Sequence, residues 1–589
     1  MQSLLAYLSE IFGNAFQQVG MEPSYGEVVI SARSDLGQFQ CNGALAAAKA
    51  ARQNPRMVAE SVVAAVAPRE IFADISLAGP GFINITLTDQ FLAEHLRGVA
   101  NHPRFGCETV ATPETIVVDY GGANVAKSMH IGHLRSAIIG ESIKRIVRFK
   151  GHHVIGDVHL GDWGLQMGML LTELRRHQPD LPYFDPEFTG PYPEESPVTI
   201  EDLEQLYPAA SARAKSDAEA MEASRQATAE LQAGRPGYLA LWRHFVAVSI
   251  AVLRRDYGSL GVEFDLWLGE SDAQPRIPGM VQRLRAAGFV ELSDGAEVIQ
   301  IPPTDGEEGR EIPPLILVKS DGGAMYGTTD LATIEQRVEE LHADRILYVV
   351  DARQALHFEQ VFRAARRTGV AGNAVLEHLA FGTMNGTDGR PFKTRTGGTM
   401  KLHDLVELAQ AEATAKMEEA GIGAEYPAEE RASVIRSVGV GSLKYADLSN
   451  HRTSDYVFDP EKFVRFEGKT GAYLLYAAVR MKSILRKAAE QSFLPGEILP
   501  PGQAERELAL LLTRFPDEVD YAAERYAPNY LCEYAYNLAQ AFSRFYDRCH
   551  ILRETDAALR ASWLGLVQLS LQELTQTLSL LGMEVPERM

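Results

Sequence analysis

Residues 115–150 read TIVVDYGGANVAKSMHIGHLRSAIIGESIKRIVRFK. The β-branched run Thr115-Ile116-Val117-Val118 predicts a short buried strand, and Gly121-Gly122-Ala123-Asn124 predicts a turn. From Gly132 to Lys150 the apolar residues Leu134, Ala137, Ile138, Ile143 and Ile146 return with the helical period, so one stripe of a helix faces a core. Val154-Ile155-Gly156-Asp157-Val158 predicts the next strand. The same order recurs downstream: Arg345–Asp351 precedes a helix starting near Ala355, and Val375–Phe381 precedes a glycine-rich loop. Strands alternating with helices make parallel βαβ units, which predicts an α/β domain of Rossmann type, a doubly wound parallel sheet built from two halves.

Between the halves, about 171–310, lies a segment rich in proline and acidic residues, including Glu194, Glu195, Glu201, Asp202 and Glu204. It reads as an insertion with helices, mostly a solvated connector, because charged runs usually only face water. Upstream, Leu4, Leu5, Leu8, Ile11 and Phe12 fall on one helical stripe, and Ile83, Ile85 and Leu87 alternate in FINITL (82–87), leaving Phe82, Asn84 and Thr86 on the other face. Near the end, Leu564, Val567, Leu571, Leu574, Leu578 and Leu581 recur at spacings of three and four before Gly582 and Pro586 stop the helix. The expected organisation is a small N-terminal α/β domain over 1–110, the Rossmann-type domain over 111–454 and a C-terminal all-α helical bundle over 455–589.

The 589 residues, 46% apolar and 23% charged, have the usage of a globular protein, which excludes disordered and fibrous classes. A net charge of −21 means that any nucleic-acid partner must be met by local basic patches. The four cysteines stand far apart, so neither a Cys-x-x-Cys knuckle nor a disulfide framework is expected, and a reducing cytoplasm fits best. The first residues carry no basic leader and no uninterrupted apolar run approaches 18 residues, so neither secretion nor a membrane span is expected.

The sharpest chemical feature is His130-Ile131-Gly132-His133 between a strand and a helix. Three residues apart at a helix start, the two histidines project from one face, and Gly132 lets a nucleotide approach the backbone. The unpaired N–H groups and dipole of a helix N-terminus favour an anion. The competing reading is two surface histidines around a flexible glycine; zinc is not expected, since a third local ligand is missing. The second feature is FKTRTGGT (392–399), in which Lys393 and Arg395 can follow a polyphosphate while glycines let the loop move. Alone it would be a solvated basic loop. In this order, strand, histidine pair and basic loop point to one nucleotide site.

The pair resembles the HIGH and KMSKS signatures of class I aminoacyl-tRNA synthetases. VHLGDWGLQMG (158–168), FKTRTGG, the terminal VPERM, FQCNGALAAAKAARQNP (39–55), GPGFINI (79–85) and GAYLLYAAVR (471–480) together resemble the arginyl-tRNA synthetases over nearly the whole chain. The resemblance implies ATP with Mg2+, L-arginine and tRNA(Arg) as substrates and partners, first a mixed anhydride of arginine and AMP, then transfer to the terminal adenosine of the tRNA, with the first step itself needing tRNA. A cytoplasmic monomer is the expectation. His130, His133 and Gly132 would meet the ATP phosphates together with Lys393 and Arg395, and Lys127 would replace the second lysine that the loop lacks at Thr396 or Gly397. Asp119 and Asp330 would grip the guanidinium with Tyr326, because a carboxylate meets its planar fork bidentately; Asn124 and Gln354 would hold the α-amino and α-carboxylate end. Tyr326 and Asp330, four apart, share a face if a helix begins there. Without the resemblance, an acidic residue at such a position serves equally as a cap. The turn at Gly121-Gly122-Ala123 lacks the serine and proline common in the family.

For RNA, the stretch from Lys462 to Lys487 holds seven basic residues, Lys469 and Arg480 among them, against Glu467 alone, a patch that could track phosphates. Tyr473, Tyr476, Tyr526 and Tyr530 offer stacking faces for unpaired bases, with core packing as the alternative for each. By resemblance, Phe82 and Asn84 sit where the N-terminal domain meets the outer corner of tRNA. Two rivals stand beside this reading. A small-molecule nucleotidyltransferase would need neither bundle nor second loop, and a catalytically silent RNA-binding relative would not need the intact histidine pair.

Overall fold

The computed structural model describes residues 1–589 apart from 34, 128, 304–311, 321, 387 and 391–399. The chain divides into two compact units, one formed by 111–417 and 442–464, the other by 1–110, 418–441 and 465–589.

The first unit is organised by a parallel sheet whose spatial order is Val375–His378, Arg345–Tyr348, Thr115–Asp119, His153–Asp157. Ile116, Val117 and Val118 are buried because both faces of this central strand are covered, which is why the sequence shows a continuous apolar run and no alternation. The register sets Asp119 opposite Tyr348 on one side and Asp157 on the other, so two carboxylates and a phenol end up in one row at the carboxyl ends of the strands. A doubly wound sheet opens its crevice at that edge. The helix that follows, Ile131–Phe149, carries the predicted stripe and more: Arg135, Glu141 and Lys144 are buried as well. Glu141 receives the Tyr120 hydroxyl (2.8 Å), Lys144 (2.8 Å) and Arg145 (2.7 Å), and against the cost of burial the two cations hold its carboxyl below the usual range.

The insertion departs from the expected solvated connector. Helices Leu165–His177, Ile200–Ser216, Ala218–Gln232 and Pro236–Ser259 enclose a core of Leu170, Leu174, Tyr183, Phe184, Leu203, Leu231, Leu241 and Phe245. Of the acidic residues that suggested solvation, Glu194 and Glu195 are exposed ahead of the Ile200–Ser216 helix, Glu201 lies in its first turn and Asp202 completes a capping box with Thr199, while Asp217 caps the next helix. Pro236–Ser259 is long and apolar enough to cross a bilayer by length and composition, yet it buries Tyr238, Leu241, Phe245, Leu253 and Tyr257 within its own unit.

In the second unit, helices Leu4–Gln18, Gly43–Ala51 and Pro55–Ala65 cover an antiparallel sheet ordered Val28–Ile30, Phe39–Cys41, Phe82–Leu87, Phe72–Ala78. Leu4, Leu5, Leu8, Ile11, Phe12, Ile83, Ile85 and Leu87 form its core, as their spacing predicts. The helices Gly471–Glu490, Arg506–Leu512, Phe515–Glu524, Asn529–Arg548 and Ala557–Leu580 make the bundle. Arg506 donates to the Leu87 carbonyl at 2.6 Å and Phe105 meets Phe515 edge-on, so the two parts of this unit share an interface.

Gly140 lets the Ile131–Phe149 helix press against the central strand: a Cβ there would come within 2.3 Å of the Tyr120 ring. Helix propensity alone predicts that Gly140→Ala stabilises by about 0.5–1 kcal/mol. The contact predicts instead a loss of at least about 1–3 kcal/mol, measurable by urea unfolding, and a stabilised variant would refute it.

Candidate active site

The helix beginning at Ile131 is capped by its own histidines. The backbone N–H of Gly132 donates to His130 Nδ1 at 3.0 Å, and the N–H of His130 donates to His133 Nδ1 at 3.1 Å. The rings stack with centroids 4.0 Å apart and planes 29° from parallel. With each Nδ1 lone pair accepting from the backbone, the ring proton belongs on Nε2, so the helix start carries two N–H donors. Burial, with the neighbouring His130 and Lys127, pushes His133 down to about 3, and burial, with Arg353 and Lys127, lowers His130. Both rings are neutral at pH 7.

The turn ahead of the helix is held from the insertion. Ala126 adopts φ +61°, a left-handed conformation that an alanine takes only when its surroundings impose it. Its N–H donates to Ser249 Oγ at 3.0 Å, and Gln166 donates to the Val125 carbonyl. Lys127 then lies with Nζ 4.5 Å from the centroid of Tyr207. Immediately after the basic loop, Met400–Leu402 runs antiparallel to Met129–Ile131: Ile131 N–H donates to Met400 O (3.2 Å) and Leu402 N–H to Met129 O (2.9 Å). Lys401 pairs with Glu204 at 2.7 Å. Ahead of the loop, Arg135 donates to Gly382 O at 2.6 Å and pairs with buried Asp447 at 3.0 Å. Lys393 and Arg395 lie outside the described residues.

The acidic end of the crevice differs from a simple pair of open carboxylates. Asp119, 7% exposed, accepts from Arg337 Nη2 at 2.7 Å, and the same nitrogen reaches Asp157 at 2.7 Å. Asp119 thus already holds a guanidinium, that of the chain itself. Asp330 lies on the Tyr326–Glu339 helix, which does begin at Tyr326, and it accepts from His357 Nε2 at 2.6 Å; that bond raises the His357 pKa. Tyr326 stands one turn earlier, 67% exposed. Glu270 is drawn into the same group: burial and the charges of Asp162 and Asp330 push its carboxyl up to about 7. Asn124 bridges to Gly161, where any Cβ would come within 2.4 Å of its side-chain oxygen. Gln354 is exposed at the end of the Ala352–Gln354 turn, one helical turn before His357. Sequence reasoning missed His357, Glu270, Arg337 and Tyr207. Only His357 carried a local signal, its i, i+3 spacing from Gln354.

The RNA candidates are more engaged than a count of charges suggests. Lys462 pairs with Asp459, Lys482 with Glu587 and Lys469 with Glu533. Arg480 lies 4.2 Å from the Tyr546 ring, and Tyr473 meets Tyr536 with centroids 6.0 Å apart. Tyr526, two residues beyond the Phe515–Glu524 helix, has φ +48°. Phe82 is half-buried, while Asn84 is 2% exposed and accepts from Gln40 at 2.8 Å.

Comparison with known proteins gives this arrangement its family. The model described as "tRNA synthetases class I (R), catalytic domain" matches residues 100–460, "Arginyl tRNA synthetase N terminal domain" matches 4–87 and "DALR anticodon binding domain" matches 474–589. The chain belongs to the arginyl-tRNA synthetase family. This synthetase is 51% identical over 590 residues to the arginine–tRNA ligase of Maricaulis maris and 52% identical over 594 residues to that of Hyphomonas neptunium, covering 100% of each chain. Among solved structures, that of the Plasmodium falciparum arginyl-tRNA synthetase superposes with a TM-score of 0.82 at 25% identity, and that of Thermus thermophilus with 0.79 at 23%, each covering 100% of both chains. The parallel sheet and the helical C-terminal part expected from sequence are those of the family.

A histidine whose pKa is lower folded than unfolded leaves the folded protein with fewer protons, so its stabilisation is complete above about pH 6.5 and is lost as pH falls toward the folded value. For His133, going from pH 7 to 5 should remove about 2 kcal/mol. Between these two pH values the unfolding free energies of the wild type and of His133→Asn, measured with urea, should change by amounts that differ by about that much, and equal changes would contradict the assignment.

Proposed function

We propose that the two Nε2–H donors at the Ile131–Phe149 helix start receive the phosphates of ATP while arginine sits at the carboxyl edge of the sheet. A carboxylate oxygen of arginine attacks the α-phosphorus, the bond to the bridging oxygen breaks, and pyrophosphate leaves. The ribose hydroxyl of the terminal tRNA adenosine then attacks the arginyl carbonyl and AMP departs. Negative charge spreads over the phosphoryl oxygens in the first step, so fixed donors matter more than proton transfer. The observation that carries this reading is the capping pair: each imidazole spends Nδ1 on the backbone, stays neutral, and can neither swing away nor lose its Nε2 proton to the helix. A donor of this kind contributes on the order of 3 kcal/mol when it strengthens in the transition state. Lys127 and Gly132 lie beside the pair. The antiparallel bridge at Met400–Leu402 sets the chain that follows the second signature beside the first, which supports a common site for both. Mg2+ enters with ATP as its counterion.

For arginine, Asp330 is the carboxylate available to the guanidinium fork, oriented by His357, with Glu270 and Tyr326 at its sides. Asp119 is assigned the floor, held in place by Arg337, and Asn124 and Gln354 the amino-acid end. Phe82, Asn84, Lys469, Tyr473, Arg480 and Tyr526 remain the proposed tRNA contacts; Lys469 would exchange Glu533 for phosphate, and Asn84 would exchange Gln40 for a base. Activation is proposed to require tRNA(Arg), and the synthetase to act as a cytoplasmic monomer.

Arginine-dependent pyrophosphate exchange tests both parts. Exchange should need added tRNA, and Asp330→Asn should lower kcat/KM for arginine about 100-fold. Exchange at full rate without tRNA, or an undiminished Asp330→Asn, would refute the corresponding assignment.

A further inference from the structure

We propose that Tyr207 is a positioning residue for Lys127, which makes the inserted Ile200–Ser216 helix part of the nucleotide site. The inference rests on the reading of Lys127 as a phosphate cation. Tyr207 and Glu204, three apart, share one face of that helix. That face meets the two lysines flanking the signatures: Lys127 just ahead of the histidine pair, with Nζ 4.5 Å from the Tyr207 centroid, and Lys401 just beyond the basic loop, at 2.7 Å from Glu204. One helix therefore touches the chain just before the first signature and just after the second.

The two contacts differ in kind. A carboxylate partner neutralises an ammonium, so the Lys401–Glu204 pair is a tether. An aromatic face attracts the cation through the ring quadrupole and leaves its charge intact, with N–H groups still available for a phosphate. The backbone supports the same orientation: the left-handed Ala126, fixed by Ser249 from the inserted Pro236–Ser259 helix, turns the chain immediately before Lys127. Tyr207 itself is anchored, packing its ring against the clusters containing Met169, Ala210 and Val125. Burial raises the pKa of the Tyr326 phenol, with smaller contributions from Glu270 and Tyr207.

The experiment is tRNA-supported pyrophosphate exchange in the full chain with Tyr207→Phe, with pentafluorophenylalanine incorporated at position 207, and with each change combined with Lys127→Met. Phenylalanine keeps the attractive ring face and should retain kcat within about twofold, whereas the fluorinated ring keeps the shape, reverses the quadrupole and should lower kcat about tenfold with KM for arginine unchanged. Combined with Lys127→Met, the fluorinated ring should have no further effect, since residues acting through one another are not additive. Equal activity of the two rings, or a loss that persists in the Lys127→Met background, would overturn the role of Tyr207 alone. A Lys127→Met enzyme with full kcat would overturn the reading of Lys127 and this inference with it.

Discussion

A helix start leaves backbone N–H groups without partners, and in this synthetase two of the N–H groups around that start, those of His130 and Gly132, are claimed by imidazole nitrogens. Everything chemical about the site follows from that capping. It fixes both ring orientations without help from any distant residue, selects the tautomer, and places two neutral donors where the helix dipole already favours an anion. Neutrality has its own value. A charged imidazolium would hold the ground-state triphosphate as strongly as the developing transition state, whereas a donor set in advance stabilises charge that appears during reaction.

The sheet supplies the complementary end. Pairing Asp119, Asp157 and Tyr348 in one row would leave two buried carboxylates in mutual repulsion, and Arg337 resolves it from the neighbouring helix with one nitrogen shared between them. Asp119 still sits above its ordinary pKa because burial outweighs the guanidinium. The floor of the crevice is thereby compensated by the chain's own arginine, and Asp330, paired with His357, is a carboxylate that this arginine does not consume. In the proposed function, discrimination for a guanidinium over an ammonium is assigned to the geometry of Asp330, which is paired with His357.

How much of this could be read in the sequence depends on range. The Ile131–Phe149 helix, the central strand and the histidine pair were legible because periodicity and capping act within a few residues. Asp330 and Tyr326 share a helix as their spacing implies. Arg337, by contrast, meets Asp119 across 218 residues, and nothing local marks it. The insertion was misjudged for a related reason: its acidic run surrounds one helix start, where Asp202 caps with Thr199, while the apolar residues that build its core are spread over the segment. The basic stretch from Lys462 to Lys487 overstated its open charge because Glu533 and Glu587, its partners, come from elsewhere in the chain. Local rules found the elements and the first signature, and tertiary pairing decided which charges remain available.

The capping geometry makes one claim that can be observed atom by atom. In protein labelled with 15N at histidine, His130 and His133, assigned by loss of their signals in single asparagine variants, should both show the Nε2–H tautomer at pH 7, and addition of a non-hydrolysable ATP analogue should shift their Nε2 resonances while Nδ1 keeps the chemical shift of an acceptor. An Nδ1–H tautomer or an imidazolium at either position, or Nε2 resonances indifferent to the analogue, would contradict the account.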